Sequence, residues 1–184
     1  ALYHVQGEYK LSPSFADVTI GGNTRLYTPN SEGTIFSDTG DVKITNFEYG
    51  VYLGLEKSLY DGQLKTNLTG RMDKNENFDY LFSPAASLVY LPTEKDVLRV
   101  SLSSAIRNPT LTDQYLNYDA GPAILLGNLN GYGYNEYFAN IDSLEQYFIG
   151  ETYNPDALLG GFLQVDPIRP ERVQTIEFGY RSTL

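Results

Sequence analysis

The sequence predicts an all-β protein, an antiparallel up-and-down meander of about seven strands that forms part of a larger transmembrane β-barrel. Apolar and polar residues alternate in seven separate stretches, which is the pattern of strands with one apolar and one polar face. Several stretches hold about ten residues, the length of a strand that crosses a bilayer. Short turns and long connections also alternate along the chain, as they do in outer-membrane barrels.

The strands can be located from this alternation and from the turn residues between them. The first strand ends before Pro13, which cannot donate to a ladder and fixes its own φ. The dipeptide Asp61-Gly62 predicts a tight hairpin turn after the third strand, because such turns require positive φ. In chain order, the predicted strands are residues 2–11, 16–27, 46–56, 64–73, 85–91, 98–107 and 176–181.

The predicted connections are short, long, short, long, short and very long in turn. Residues 29–42 and 74–84 form two polar loops, and after Arg107 the alternation stops until about Arg172. Within that last segment, one short helix is predicted at Asp142–Ile149. A structureless segment of this length is expected only where it has a task of its own.

Charge is confined to one face of the predicted strands. A Lys or Arg side chain that faces lipid at mid-bilayer costs about 2–4 kcal/mol, so its exclusion from the other face fits lipid on that side. A dry protein core would impose the same rule. The charged side chains of the polar face are Glu8, Lys10, Asp17, Arg25, Glu48, Glu56, Lys65, Arg71, Arg99, Glu177 and Arg181.

Composition excludes several classes of function. The 184 residues include no cysteine, which excludes disulfides and thiolate metal sites. No apolar run approaches the roughly 20 residues of a membrane-spanning helix. A net charge of −10 argues against nucleic acid as a partner, because phosphate binding requires clustered Lys and Arg.

Three motifs of catalytic or metal sites occur in incomplete form, so no catalytic residue, metal ligand or cofactor is predicted. Residues 38–40 (Asp-Thr-Gly) match the triplet of aspartic proteases, but the chemistry needs two copies, which leaves a homodimer as a distant alternative. Residues 73–79 resemble the start of a calcium loop, yet Phe78 stands where glycine is required. His4 is the only histidine and has no second histidine for metal or catalysis.

Three sequence elements in the second half of the chain carry a resemblance to a known family. They are SPAASLVY at residues 83–90, SAIRNPTL at residues 104–111 and RPERVQTIEFGYR at residues 169–181. In this order they resemble elements of TonB-dependent outer-membrane receptors, and the wording is closest to receptors of the Bacteroidota type. The first 76 residues fit a barrel without a motif of their own.

The resemblance implies a barrel of about 22 strands with a plug domain in its lumen. It also implies import of a scarce nutrient (a ferric siderophore, a vitamin or a glycan) across the outer membrane, with energy delivered by TonB. Residues 1–184 hold no plug, so we expect a partial barrel domain that contacts TonB through a plug segment elsewhere. Outer-membrane lipid and the nutrient are the other expected partners, and a surface lipoprotein lid is a further candidate.

The long external connection, about residues 106–172, is the predicted place of ligand contact. Aromatic rings beside amides and carboxylates suit the capture of a sugar or another ligand. The alternative is a loop that packs on itself, on neighbouring loops or on a lid protein. An ion pair of Arg107 with Glu171 would fix the ends of the loop. The candidate ligand-binding residues are Tyr115, Tyr118, Tyr132, Tyr134, Tyr137 and Arg107.

A second class of protein remains open on the sequence. It is a soluble antiparallel β-rich ligand-binding or surface module, in which the apolar faces of the strands form a protein core. Dependence on detergent separates the two classes, because only the barrel has an apolar face that requires lipid.

Overall fold

A computed structural model describes residues 1–136 and 161–183 of the chain. One open sheet of seven antiparallel strands, in the order β1-β2-β3-β4-β5-β6-β11, confirms the predicted all-β meander. In chain order the elements are β1 (Leu2–Leu11), β2 (Asp17–Tyr27), β3 (Asn46–Leu59), β4 (Leu64–Asn75), β5 (Phe78–Tyr90), β6 (Asp96–Arg107), α1 (Leu111–Tyr115), β7 (Asn117–Asp119), β8 (Ile124–Leu126), β9 (Tyr132–Glu136), β10 (Gly161–Val165) and β11 (Glu171–Ser182).

The two ends of the sheet differ in their connections. Residues 12–16, 60–63 and 91–95 join strands at one end, which we call the short-turn end. Residues 28–45 and 76–77 lie at the other end, the long-loop end, where β6 ends and β11 begins.

The turn between β3 and β4 has the tight geometry predicted from Asp61-Gly62. Backbone N–H groups of Gly62 and Gln63 donate to the carbonyls of Leu59 and Tyr60, at 3.2 and 3.0 Å. Positive φ extends over Tyr60 (54°), Asp61 (52°) and Gly62 (90°). The left-handed stretch therefore begins one residue before the predicted dipeptide.

The predicted loop over residues 74–84 is wrong. β4 continues to Asn75 and β5 begins at Phe78, so that only residues 76 and 77 turn the chain. Pro84, which was expected to end a loop, lies inside β5 opposite Gly70 of β4. The ladder between β5 and β6 covers only Ala85–Tyr90, so Pro84 belongs to a half-strand with a ladder on one side, where proline is tolerated.

The segment after β6 also contains more structure than the alternation indicated. Residues 108–110 connect β6 to α1, β7 pairs with β8, and β9 pairs with β10. These elements span three to five residues each, too few for a period to be visible. β11 begins at Glu171 rather than at residue 176. The helix predicted at Asp142–Ile149 lies outside the described residues.

The strand register assigns every charged strand position of the prediction to one face, here called the polar face. His4, Arg25, Glu48 and Asn75, for example, are successive register partners on β1 to β4. The opposite, apolar face is not covered by the described chain, since Val51, Phe82 and Phe178 are 50%, 62% and 79% exposed. Among the described residues, the buried hydrophobic side chains are Phe36, Phe78 and Leu81.

A hydrogen bond across three strands stiffens the polar face towards β1. The Tyr52 hydroxyl donates to Oε2 of Glu8 at 2.7 Å. Gly21 lies between them on β2, and a Cβ at this position would overlap the Tyr52 ring. The glycine thus provides the space through which Tyr52 reaches β1. Of the helices in the described part of the chain, none has the length and apolar content needed to span a membrane.

Candidate functional site

A polar cavity of about 720 Å³ opens on the polar face at the long-loop end of the sheet. Its walls are formed by β2, β3 and β4, by the end of β6 and by the start of the segment that follows. Its volume lies in the range of about 300–1,000 Å³ that ligand pockets occupy. The lining includes Asn23, Arg25, Tyr27, Glu48, Arg71, Asp73, Arg107, Asn108 and Gln114.

An ion pair with fixed geometry forms part of the cavity floor. Arg71 donates from Nε to Oδ2 of Asp73 at 2.8 Å and from Nη2 to Oδ1 of Asp73 at 2.6 Å. The same Nη2 donates to Oδ1 of Asn23 at 2.6 Å, across β3. Gly50 leaves room for this contact, because a Cβ there would overlap both the guanidinium and the carboxylate. Two-point pairing of this kind holds both side chains in one orientation.

Four amide side chains at the edge of the cavity form a buried hydrogen-bonded group, here called the amide cluster: Asn46, Asn75, Asn77 and Gln114. Asn46, Asn75 and Gln114 are only 1%, 0% and 3% exposed. Asn75 donates to Asn46 at 2.9 Å, and Gln114 accepts from Asn46 at 3.2 Å and from Asn77 at 2.8 Å. Gln114 also donates to the Pro109 carbonyl at 2.7 Å. The cluster therefore fastens α1 to the sheet and holds residues 108–112 as a cavity wall.

Glu48 connects the amide cluster to the cavity. Its Oε1 accepts hydrogen bonds from Nδ2 of Asn75 at 2.7 Å and from Nδ2 of Asn108 at 3.3 Å. Arg25, an exposed side chain of β2, is its register partner on the same face. The carboxylate of Glu48 is thus fixed by two hydrogen bonds, and its strand position lies opposite that of Arg25.

The loop between β2 and β3 is ordered around a buried carboxylate, Asp38. Ser31 Oγ donates to Oδ1 of Asp38 at 2.6 Å, Ser31 N donates to Oδ2, and Gly33 N donates to Oδ1 at 2.8 Å. These hydrogen bonds, chiefly those from Ser31, lower the pKa of Asp38 to about 2. Asp38 is therefore ionised and organises its own loop, which is not the proton-sharing state of an aspartic protease dyad.

The same loop packs against the chain that follows α1. Phe36 is buried and forms a β-bridge with Leu116. Asn117 N donates to the Ile35 carbonyl at 2.8 Å, and Nδ2 of Asn117 donates to Oγ of Ser37 at 2.5 Å. The loop between β2 and β3 and the chain after α1 thus pack against each other at the long-loop end.

The family model described as TonB dependent receptor-like, beta-barrel, matches residues 3–184. The chain belongs to this receptor family. The receptor barrel is accordingly an outer-membrane protein of a family of non-enzymatic transporters, as the three sequence elements implied. A comparison with curated protein sequences finds no match.

Arg107 is the one predicted ligand residue that the receptor barrel places in the described lining of the polar cavity. It ends β6 at the long-loop end, where Nη1 lies 3.7 Å from Oε2 of Glu171. The predicted ion pair at the base of the long connection is therefore confirmed. Both side chains are about 70% exposed, so the pair is solvated.

Among the described residues, none of the predicted tyrosines belongs to the lining of the polar cavity. Tyr115 belongs to α1, and its hydroxyl accepts a hydrogen bond from Asn77 of the amide cluster. Tyr118 on β7 is exposed, and the Tyr132 hydroxyl donates to the Gly127 carbonyl. The two remaining candidates are Tyr134, which lies in β9, and Tyr137, which falls outside the described residues.

Several residues of the site were missed by the sequence analysis. Asn46 and Glu48 belong to the polar face of a predicted strand, so their side of the sheet was predictable. Asn75 and Asn77 fell in the run interpreted as a polar turn. Gln114 gave no signal, because a five-residue helix shows no periodicity.

A larger concavity of about 1160 Å³ in the described chain lies on the apolar face of the receptor barrel and is a different surface. It offers few polar groups to orient a polar ligand, so it is not the candidate site. Its lining is mainly apolar and includes Ile20, Val51, Leu53, Leu68, Met72, Phe82, Leu102 and Ile176.

Proposed function

We propose that the chain forms part of the wall of a larger barrel that imports a scarce nutrient (a ferric siderophore, a vitamin or a glycan) across the outer membrane, driven by TonB. The polar cavity carries this proposal. It lies at the long-loop end, where Arg71 and Glu48 are held in place before any ligand arrives. Such preorganisation lowers the entropy lost on binding.

The segment after β6 supplies ligand contacts in this proposal. Arg107 lines the cavity, and Tyr118 and Tyr132 are 45% and 38% exposed. Exposed tyrosine rings beside polar groups offer both an apolar surface and a hydroxyl to a ligand. The full proposed set is Arg107, Tyr115, Tyr118, Tyr132, Tyr134 and Tyr137.

The apolar face contacts outer-membrane lipid in this proposal. Its large side chains are exposed, as the values for Val51 and Phe178 illustrate. The competing soluble module requires a protein core on that face. The complete receptor should therefore stay monodisperse only in detergent or lipid, and a folded, monodisperse protein without either would contradict the barrel.

Two protein partners belong to the proposal. TonB would be reached through a plug segment in the lumen. A surface lipoprotein lid would cover the long-loop end, and the exposed β8 side chains support such a contact, with Ile124, Leu125 and Leu126 at 62%, 49% and 52% exposure. Loss of lid binding on Leu125→Asp is the expected result, with Phe15→Asp, an exposed side chain at the short-turn end, as a control that should retain binding.

Uptake by living cells tests the function. A host that lacks the gene for the complete receptor is complemented with the wild-type gene or with the double variant Arg107→Ala, Asn108→Ala. Growth on a limiting nutrient should require the wild-type receptor and TonB together, and the double variant should grow more slowly. Glu56→Gln serves as the control, since Glu56 lies on β3 near the short-turn end and binds Asn67 instead. Uptake that continues without TonB would contradict the proposal.

A further inference from the structure

We propose that the polar cavity takes an uncharged ligand rich in hydroxyl or amide groups, and that Glu48 enforces this choice by repelling anions. The inference rests on the proposed import function and deepens it, since it names the class of ligand.

The charged side chains of the lining occur as neighbours of opposite sign. Arg71 is paired at two points with Asp73, and Arg107 lies 3.7 Å from Glu171 at the rim. Arg25 lies opposite Glu48 in the strand register. Three arginines are therefore balanced by three carboxylates around one cavity.

A fourth cation of the lining is directed elsewhere. Lys74 contributes to the cavity wall, but its Nζ donates to the Phe78 carbonyl at 2.5 Å and lies 5.6 Å from the centre of the Tyr80 ring. The ammonium group of Lys74 is therefore bound at the turn between β4 and β5. It does not make the cavity a binding site for anions.

A lining of alternating sign disfavours ions of both signs. An anion would either displace the carboxylate of Asp73 or Glu171 from its arginine or approach the exposed Arg25 beside the carboxylate of Glu48, at a cost typical of like charges brought together. A cation meets the same obstacle at the three arginines. An uncharged ligand with hydroxyl or amide groups can accept from guanidinium N–H groups and donate to carboxylate and amide oxygens without displacing any pair. The chain's net charge of −10 adds a long-range bias against anions.

Glu48 is the residue at which the preference can be altered with least disturbance. Its Oε1 accepts from Asn75 and Asn108, and glutamine would keep an acceptor oxygen for those amides. Glu48→Gln therefore removes the charge while retaining the hydrogen bonds. Without that charge, an anionic ligand could approach the exposed Arg25 without meeting a like charge on the neighbouring strand.

Calorimetric titration of the complete receptor in detergent tests the inference with two pairs of probes. One pair is a neutral ferric trihydroxamate and an anionic ferric tris-catecholate, and the other is a neutral galactose oligomer and the galacturonate oligomer of equal length. The wild type should bind the neutral member of at least one pair about tenfold more tightly than its anionic partner. Glu48→Gln should narrow that difference about tenfold, whereas Glu56→Gln, on the same face of β3, should leave it unchanged.

Each other outcome overturns the inference. Tighter binding of an anionic member by the wild type, an unchanged preference in Glu48→Gln, or no binding of any probe would each do so. The response of the two pairs separates an iron complex from a carbohydrate as the source of the uncharged groups. TonB-dependent uptake is measured independently in cells. A receptor that imports an anionic ligand would therefore overturn this inference, while the proposed import function would still hold.

Discussion

The side chains of Asn46 and Gln114, 68 positions apart in the sequence, are joined by a buried hydrogen bond of 3.2 Å from Nδ2 to Oε1. Asn46 begins β3, and Gln114 belongs to α1, so this bond ties the long connection to the sheet. Because both side chains are almost fully buried, each lost partner would leave a polar group without water or protein to bond. The long connection is therefore anchored at its start.

Replacing Gln114 should release that anchor. Gln114→Ala removes the acceptor of the Asn46 side chain and one of the two acceptors of the Asn77 side chain, which costs about 1–3 kcal/mol in the free energy of local opening. Hydrogen exchange of residues 108–119 in the complete receptor measures this opening, and protection should fall there first. Gln63→Ala, at an exposed turn of the short-turn end, should not change it. Equal exchange in both variants would show that the amide cluster does not hold α1.

A methyl group at position 50 should disturb the floor of the cavity. Gly50→Ala places a Cβ into the space of the Arg71 guanidinium and the Asp73 carboxylate, so that their contact with Asn23 must break or shift. Thermal unfolding of the receptor, followed as a mobility shift in detergent gels, should occur at a lower temperature. Gly7→Ala is the matched control, because a Cβ there meets no atom within 4 Å. A similar fall in the unfolding temperature of both variants would indicate that alanine destabilises these strands in general, without a specific effect on the cavity floor.

Most of the sheet was predictable from the sequence because strand alternation and turn chemistry are local. The expected ion pair of Arg107 with Glu171 is also present, because the register of β6 and β11 places the two residues opposite each other. The prediction of a loop over residues 74–84 was wrong, and Pro84, its last residue, lies inside β5. Proline stops a strand only where it would interrupt a ladder, and the ladder to β6 begins after it.

The amide cluster was not predictable by the same reasoning. Its members come from the start of β3, the end of β4, the two-residue turn and α1, and only the docking of α1 brings them together. Elements of three to five residues leave no periodic signal, so their position depends on tertiary contacts that alternation does not encode. The cavity wall was therefore found only in three dimensions.

Acid should loosen the loop between β2 and β3 through Asp38. Its pKa is about 2 in the folded loop, below the ordinary value of 3.8, so folding favours the ionised form. The stabilisation is therefore complete above pH about 4 and is lost as the pH falls towards 2. Pepsin cleavage within residues 28–45, corrected with a free peptide of the same sequence, should rise in that window. Asp38→Asn should be cleaved faster than the wild type near pH 4, and its cleavage rate should rise little further as the pH falls. If its rate rises as much as that of the wild type, a different group controls the opening of the loop.

Arg107 should matter for ligand binding and hardly for stability. Its ion pair with Glu171 is solvated, and exposed pairs of this kind contribute about 0–1 kcal/mol. Arg107→Ala should therefore change the unfolding free energy by less than about 1 kcal/mol, and this small effect should shrink further in high salt. Affinity for the imported ligand should nevertheless fall about tenfold, because a guanidinium in the cavity lining is lost.

Glu171→Gln separates the two roles that Arg107 could have. It removes the ion pair but keeps the guanidinium, so ligand affinity measured by calorimetry should be retained or rise as Arg107 becomes available. If the pair served only to fix the ends of the long connection, both variants would weaken binding alike. Equal losses in Arg107→Ala and Glu171→Gln would therefore remove Arg107 from the ligand site and leave it as a brace between β6 and β11.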